Sequence, residues 1–166
     1  HVLGDFCYIS KGMVLNSDEK ETKGKFVKAD LISEIQDEIH CKKYIEAKDF
    51  DKYKINRIRY LEYNTKRVPE KLSRPTFPEL YSRNKLMFNG MGDFKSILDL
   101  EDKFCCNDKV RVALLWKDLC AVDNKSISSS IKKFSKLTRE EMEKLSETVD
   151  LKYLLAILNY FVEYSS

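Results

Sequence analysis

The run VRVALLW, residues 110–116, decides the fold. Val110, Val112, Ala113, Leu114, Leu115 and Trp116 form a nearly unbroken apolar series. A strand without polar alternation belongs in the middle of a sheet covered on both faces. Outward from it, KFCC (103–106), FKSILDL (94–100) and KLMFNGM (85–91) read as further strands. The acidic turn DLED and the turn NDK separate them, and Gly90 and Gly92 end the strand that starts at Lys85. Pro69, Pro75 and Pro78 cluster in VPEKLSRPTFPELYSR (68–83), which reads as a connecting segment with a short helical turn after Pro78.

Further upstream, KYIEAK (43–48) and INRIRYLEY (55–63) are extended, aromatic and β-branched, without glycine. In ADLISEIQDEI (29–39), Leu31, Ile32, Ile35 and Ile39 have helical spacing with Asp30 as N-cap, which predicts a short helix. LGDFCYISKGMVL (3–15) is strand-prone and broken at Gly12, and NSDEKETKGK (16–25) reads as a polar loop.

Downstream, Thr138 and Glu141 form a capping box for REEMEKLSE (139–147), and Asp150 caps LKYLLAILNYFV (151–162). Leu151, Leu154, Leu155, Leu158, Phe161 and Val162 give that last helix a wide apolar face for the core. The Ser- and Lys-rich connection from Lys125 to Lys136 reads as a mobile link. The expected architecture is therefore α+β, a twisted and largely antiparallel sheet with packed helices and a C-terminal core helix. At 166 residues and 43% apolar composition, residues 1–166 form one domain.

The formal net charge is only +3, but it is unevenly spread. Between Lys42 and Lys85 thirteen Lys or Arg face six Asp or Glu, about +7, which leaves about −4 elsewhere. A local basic surface on a near-neutral chain suits a polyanion bound on one face, because neutralised phosphates release counterions. The five cysteines (Cys7, Cys41, Cys105, Cys106, Cys120) are odd in number and lack C-x-x-C spacing, which points to free thiols in a reducing, cytoplasmic setting. Zinc held by His40, Cys41, Cys105 and Cys106 is disfavoured, since adjacent cysteines rarely close a tetrahedron. No apolar run is long enough for a membrane span and no signal peptide is visible, so no membrane partner is expected. A start at His1 instead of Met points to a piece of a longer polypeptide.

Catalytic motifs do not emerge. The five glycines are scattered and no Pro-Pro pair exists, so neither a cofactor loop nor a methyltransferase catalytic motif is present. With His1 at a terminus and His40 at the end of the expected helix, a triad is not formed. Glu46-Ala47-Lys48 preceded by Asp37 resembles a fragment of a Mg²⁺-dependent nuclease, a pattern common by chance in a chain this charged. Binding has more behind it. Arg57, Arg59, Lys66, Arg67, Arg74, Arg83 and Lys85 are interleaved with Tyr60, Tyr63, Phe77 and Tyr81. Guanidinium forks read guanine or clamp phosphate, amides such as Asn84 or Asn89 read adenine, and aromatics wedge into distorted DNA.

Five blocks in order resemble the specificity domain of TaqI-like restriction-modification enzymes and the recognition domains of type I specificity subunits. GDFCYISKGMVLNSDE (4–19) is similar to the family's opening strand and Gly-containing loop. KKYIEAKDFDKYKINRIRYLEY (42–63) carries an Ala47-Lys48-Asp49-Phe50 motif before a Tyr-rich strand. RPTFPELYSRNKLMFNGMG (74–92) resembles the Arg-Pro, Glu-Leu-Phe and Lys-Leu elements, though it has Met-Phe-Asn where the family often has Arg, which leaves the expected contact to Asn89. VRVALLWKDLCAVDNKSI (110–127) and LKYLLAILN (151–159) look like the closing strand and Leu-rich helix, with YFVEYSS in place of the family's Ser-Lys continuation.

This resemblance implies a non-catalytic domain that recognises a double-stranded DNA sequence for an adenine-N6 DNA methyltransferase or type II restriction enzyme. S-adenosylmethionine would then belong to a methyltransferase domain of the same or an associated chain, which flips the target base. The expected DNA-facing set is Lys48, Lys52, Lys54, Arg57, Arg67, Arg74, Lys85 and Asn89. Lysines are assigned to phosphates, arginines and the asparagine to bases. No metal ligands are assigned. The alternatives left open are a basic protein- or RNA-interaction module and a Mg²⁺ nuclease acting through Glu46 and Lys48.

Overall fold

In the computed structural model, which describes residues 1–15, 26–134 and 136–163, the run from Val110 is an inner strand. The loop expected over 16–25 lies outside the described residues. In chain order the elements are α1 (Leu3–Phe6), β1 (Cys7–Lys11), β2 (Ile32–Ser33), β3 (His40–Ile45), β4 (Phe50–Asp51), β5 (Lys54–Ile55) and β6 (Arg59–Glu62). Then follow α2 (Glu79–Ser82), β7 (Lys85–Asn89), β8 (Ser96–Asp99), β9 (Cys105–Cys106), β10 (Val110–Leu115), α3 (Lys125–Phe134), α4 (Arg139–Glu147) and α5 (Leu151–Glu163). The fold is α+β.

Two four-stranded sheets and a two-stranded ribbon carry it. The first sheet runs β1-β10-β7-β8 and is antiparallel throughout. The second runs β2-β6-β3-β9, with only β9 parallel to its neighbour. β4 and β5 form the ribbon. The missing alternation in β10 has a direct cause. Val110, Val112 and Leu114 enter the main core, which also takes Tyr44, Ile45 and Leu61 from the second sheet. Ala113 and Leu115 face the opposite side and pack with Leu151 and Leu154 of α5. Each fully buried Val or Leu contributes about 1.5–3 kcal/mol. α5 is thus the expected C-terminal core helix, serving a second and smaller core.

Local chemistry shapes the connections. After Lys11 the chain crosses so close to Asn107 that a Cβ on Gly12 would lie 2.3 Å from its carbonyl oxygen. Any larger residue would push the first sheet away from that loop. The capping box at α4 forms as expected, with Thr138 N–H donating to Glu141 Oε2 at 2.7 Å and Glu141 N–H to Thr138 Oγ1 at 3.3 Å.

Two expectations are overturned. Residues 29–39 do not form a helix. The Asp30 carboxylate accepts from Val27 N–H at 2.9 Å and closes a single 3-10 turn over Lys28–Leu31, after which Ile32 pairs with Leu61. Ser33 and Asp37 then capture nearby backbone N–H groups, from Ile35 at 3.0 Å and His40 at 2.6 Å, and these local bonds compete with helix. His40 therefore begins a strand instead of ending a helix. The link at Lys125–Lys136 is also not an open connection, since residues 125–134 form α3, anchored by the fully buried Ile127.

Candidate nucleic-acid interface

The Ala47-Lys48-Asp49 segment folds as a 3-10 turn whose polar groups divide between structure and surface. Asp49 is buried and accepts from Glu46 N–H at 2.8 Å and from Arg59 Nη2. Phe50 is fully buried. Lys48 points outward, with its Nζ 3.5 Å from Glu46. Beyond it β4 and β5 turn at Lys52-Tyr53, where Tyr53 has φ 61° and is 60% exposed. Lys54 follows it, also exposed. Lys52 and Lys54 thus share one short ribbon with an exposed aromatic at its tip, and Lys48 lies on the turn that leads into it. Asp51, the acid within it, pairs with Lys95 at 3.0 Å.

Several other cations of the basic stretch are paired within the fold. Arg59 is enclosed between Asp49 and Glu46, at 2.5 and 3.2 Å. Arg67 makes a two-pronged contact with Glu62 and reaches the Asp30 carbonyl at 3.0 Å. Arg57 pairs with Glu34, and Lys43 with Asp102. Four of the thirteen positive charges are thereby matched by carboxylates, and the local excess shrinks at the surface. Arg57 stays half-exposed and reachable, whereas Arg67 is held in place by its partners.

Lys85 and Asn89 leave the DNA-facing set. Lys85 is 0% exposed, because its side chain turns inward against Asp99, its partner in register on β8, at 2.5 Å. Its ammonium also donates to the Tyr81 carbonyl at 2.8 Å. Burial draws it below the usual lysine range, against the pull of Asp99. Asn89 spends its amide on the β7–β8 loop, donating to the Met91 and Asp93 carbonyls at 2.6 and 2.7 Å and accepting from Lys95 N–H at 2.7 Å. No edge remains for a base. Phe77 and Tyr81 belong to the core, and Tyr63 is half-buried beneath Lys42 at 5.6 Å.

The nuclease geometry does not assemble either. Burial would raise the Glu46 carboxyl, but hydrogen bonds from Lys28, Tyr44 and Arg59 hold it down at about 2. Asp37 is engaged with His40 at 2.8 Å. Cys105 and Cys106 are buried thiols, and burial pushes Cys105 up to about 12. Among the described residues no three His, Cys, Asp or Glu side chains converge on a metal position.

Arg74 takes part in a different place. Its carbonyl accepts from Val14 N–H at 3.1 Å, which fixes it beside the end of β1. There an open hollow of about 400 Å³ is lined by Lys11, Arg74, Arg111 and Lys133. α3 turns Ser126, Ser129 and Ser130 toward it. The positions 126, 129, 130 and 133 lie on one helical face, while Ile127 points to the core. Residue-by-residue reading of charge missed Lys11, Arg111 and Lys133, although the i, i+3, i+4, i+7 spacing of Ser126 to Lys133 was the available signal.

The hollow and the ribbon occupy the same end of the first sheet. Lys11 pairs with Arg111, Arg111 with Phe88, and Phe88 with Ser96. The Ser96 carbonyl then accepts from Tyr53 N–H at 3.0 Å at the ribbon tip. From β1 to β8 this row spans three strand spacings, roughly 14 Å. Among the described residues no helix is long and apolar enough to cross a membrane. No protein-family model matches this chain, and no curated protein matches it.

Proposed function

We propose that this chain is a sequence-specific double-stranded DNA recognition domain, without catalytic residues of its own, serving an adenine-N6 DNA methyltransferase or restriction-modification enzyme. S-adenosylmethionine and the chemistry belong to a separate methyltransferase domain. The observation that carries the DNA reading is the gathering of surface cations at one end of the first sheet. The Lys52-Tyr53-Lys54 ribbon lies beyond β8 at one side and the Arg74 hollow beside β1 at the other, with the row from β1 to β8 spanning roughly 14 Å between them. A two-stranded ribbon of this kind is an element that the major groove, roughly 12 Å wide, admits. The methyltransferase association rests on the five blocks that resemble TaqI-like specificity domains.

Of the expected contacts, Lys48, Lys52, Lys54, Arg57 and Arg74 remain in this reading, with lysines on phosphates and the ribbon tip in a groove, while Arg67, tied to Glu62 and the Asp30 carbonyl, is set aside with Lys85 and Asn89. Selection from a random duplex pool tests it. Enrichment of one short motif is the expected result, and a pool that stays random after repeated rounds rejects sequence recognition.

A further inference from the structure

We propose that Met91 is a wedge that inserts between stacked base pairs of the bound duplex and bends it. This deepens the DNA reading and rests on it. At 88% exposure Met91 is the most exposed large apolar side chain among the described residues. It stands on the connection from β7 to β8, where residues 90–95 form a longer loop than the two residues that close a tight hairpin. That length is not slack. The buried Asn89 fixes the loop at three points, with its amide donating to the Met91 and Asp93 carbonyls at 2.6 and 2.7 Å and accepting from Lys95 N–H at 2.7 Å. Gly92, at φ 78°, takes the left-handed turn beside Met91. Phe88 and Phe94 meet at the base of the loop with ring centroids 5.8 Å apart. A bare apolar side chain is thus held out on an ordered frame, so little conformational freedom is left to lose on binding.

The setting of the loop favours bases as its occupant. On one side Gly90 N–H donates to the Lys109 carbonyl at 2.9 Å, and on the other Lys95 pairs with Asp51 of the ribbon at 3.0 Å. Lys109 and Lys54, both exposed, therefore flank the loop and can hold phosphates to either side of it. Asp93, the one acid of the loop, is exposed and keeps phosphate away from the tip itself. Exposed apolar residues elsewhere lack this setting, since Ile35 and Ile39 stand among Glu34, Asp37 and Glu38, where a polyanion is repelled.

Methionine suits the task. Its unbranched, polarisable side chain is slim and adaptable, and apolar wedges of this kind enter base steps and kink the duplex. The unstacking they cause is offset by the contacts that the bent duplex then makes with the protein. Asn89 is in this arrangement a positioning residue, which holds the wedge and reads no base itself.

The test compares the chain as given with Met91→Ala and Asn89→Asp. Each is titrated with a short intact duplex and with the same duplex carrying a central mismatched pair, where part of the unstacking is already supplied. A fluorescent adenine analogue beside the central pair, whose emission rises when it unstacks, reports insertion, and phosphatidylserine vesicles are a third probe. Met91 lies outside both cores, so Met91→Ala should keep the wild-type thermal midpoint. The wild type should bind the mismatched duplex about fivefold more tightly than the intact one and raise the emission, whereas Met91→Ala should bind the two about equally and leave the emission flat. Asn89→Asp keeps an acceptor for Lys95 N–H and loses both donors. Its added charge weakens binding to both duplexes, so the ratio between them is the readout, and that ratio should fall toward that of Met91→Ala. A full ratio in Asn89→Asp overturns the positioning role of Asn89. Equal binding of both duplexes by the wild type without a rise in emission overturns the wedge and leaves DNA recognition standing, as does a preference that Met91→Ala retains in full. A wild type that binds neither duplex overturns the wedge together with the DNA reading, and vesicle binding that Met91→Ala then loses assigns the tip to a lipid surface.

Discussion

Lys85 and Asp99 face each other across β7 and β8 with their side chains fully enclosed. Such a pair offsets its own desolvation only while both members are present. Asp99 has a second duty, accepting from Lys103 N–H at 3.0 Å and Phe104 N–H at 2.7 Å, so its carboxylate also shapes the loop leading to β9. Lys85→Met should therefore cost about 3–5 kcal/mol in urea denaturation, because it strands a buried carboxylate. Lys85→Met/Asp99→Asn should recover part of that loss, since asparagine keeps an acceptor for the loop and removes the orphaned charge. Neither variant should alter duplex affinity at temperatures where it is folded. A selective loss of DNA binding in folded Lys85→Met would return Lys85 to the interface. The contrast with Lys48, one turn from a buried acid yet 66% exposed, shows that similar residues in one basic stretch serve opposite ends.

The β4–β5 ribbon is the element on which groove contact depends. It has only two paired positions, Phe50 with Ile55 and Asp51 with Lys54, and isolated ribbons of this size are not stable in water. It is held by the buried Phe50, by Asp51 on Lys95, and by Tyr53 N–H on Ser96. Lys52→Gln and Lys54→Gln should each make the salt dependence of duplex binding shallower by about 0.9 in log–log slope, measured by fluorescence anisotropy over a salt series. Slopes equal to wild type in both would remove the ribbon from the interface. β7, β8, β10 and the two C-terminal helices were legible in the sequence because period and caps there agree with the packing. ADLISEIQDEI was misread because its isoleucines imitate helical spacing while Ile35 and Ile39 stand in solvent at 77% and 49% exposure. Short polar side chains set the backbone there. α3 was missed for the opposite reason, since three serines in a row hid a helix that Ile127 anchors in the core. The candidate site was legible only as a charge excess, because which cations are paired depends on partners far away in sequence, such as Arg57 with Glu34 or Lys85 with Asp99.

At the scale of the whole molecule, the two sheets share one core. Tyr8, Met87 and Leu114 of the first sheet lie in the same cluster as Tyr44, Ile45 and Leu61 of the second. Backbone bridges Met13–Asn107 and Val14–Arg74 tie the chain after β1 into both the proline-rich connection and the loop before β10. Neither sheet has a covered inner face without the other, so the chain should unfold in one cooperative step. The charges that link these parts make that step sensitive to acid. Glu46 joins the Lys28 turn to Arg59 on β6 and to the buried Tyr44 hydroxyl of β3, at 2.8, 3.2 and 2.9 Å. Its carboxyl ionises at about 2 in the fold against an ordinary 4.5. The unfolded chain therefore binds this proton more readily than the folded one, and acid favours unfolding. The stability Glu46 supplies is complete above about pH 4.5 and is lost as the pH falls toward 2, a change of about 3 kcal/mol for this almost fully enclosed group. Glu62, lowered by Arg67, acts in the same direction. Glu46→Gln should start less stable at neutral pH, since Arg59 loses a carboxylate, and should lose less on acidification. Urea midpoints at pH 7, 4.5 and 3 would read both effects, and an unchanged acid slope in Glu46→Gln would mean that other carboxylates control acid unfolding.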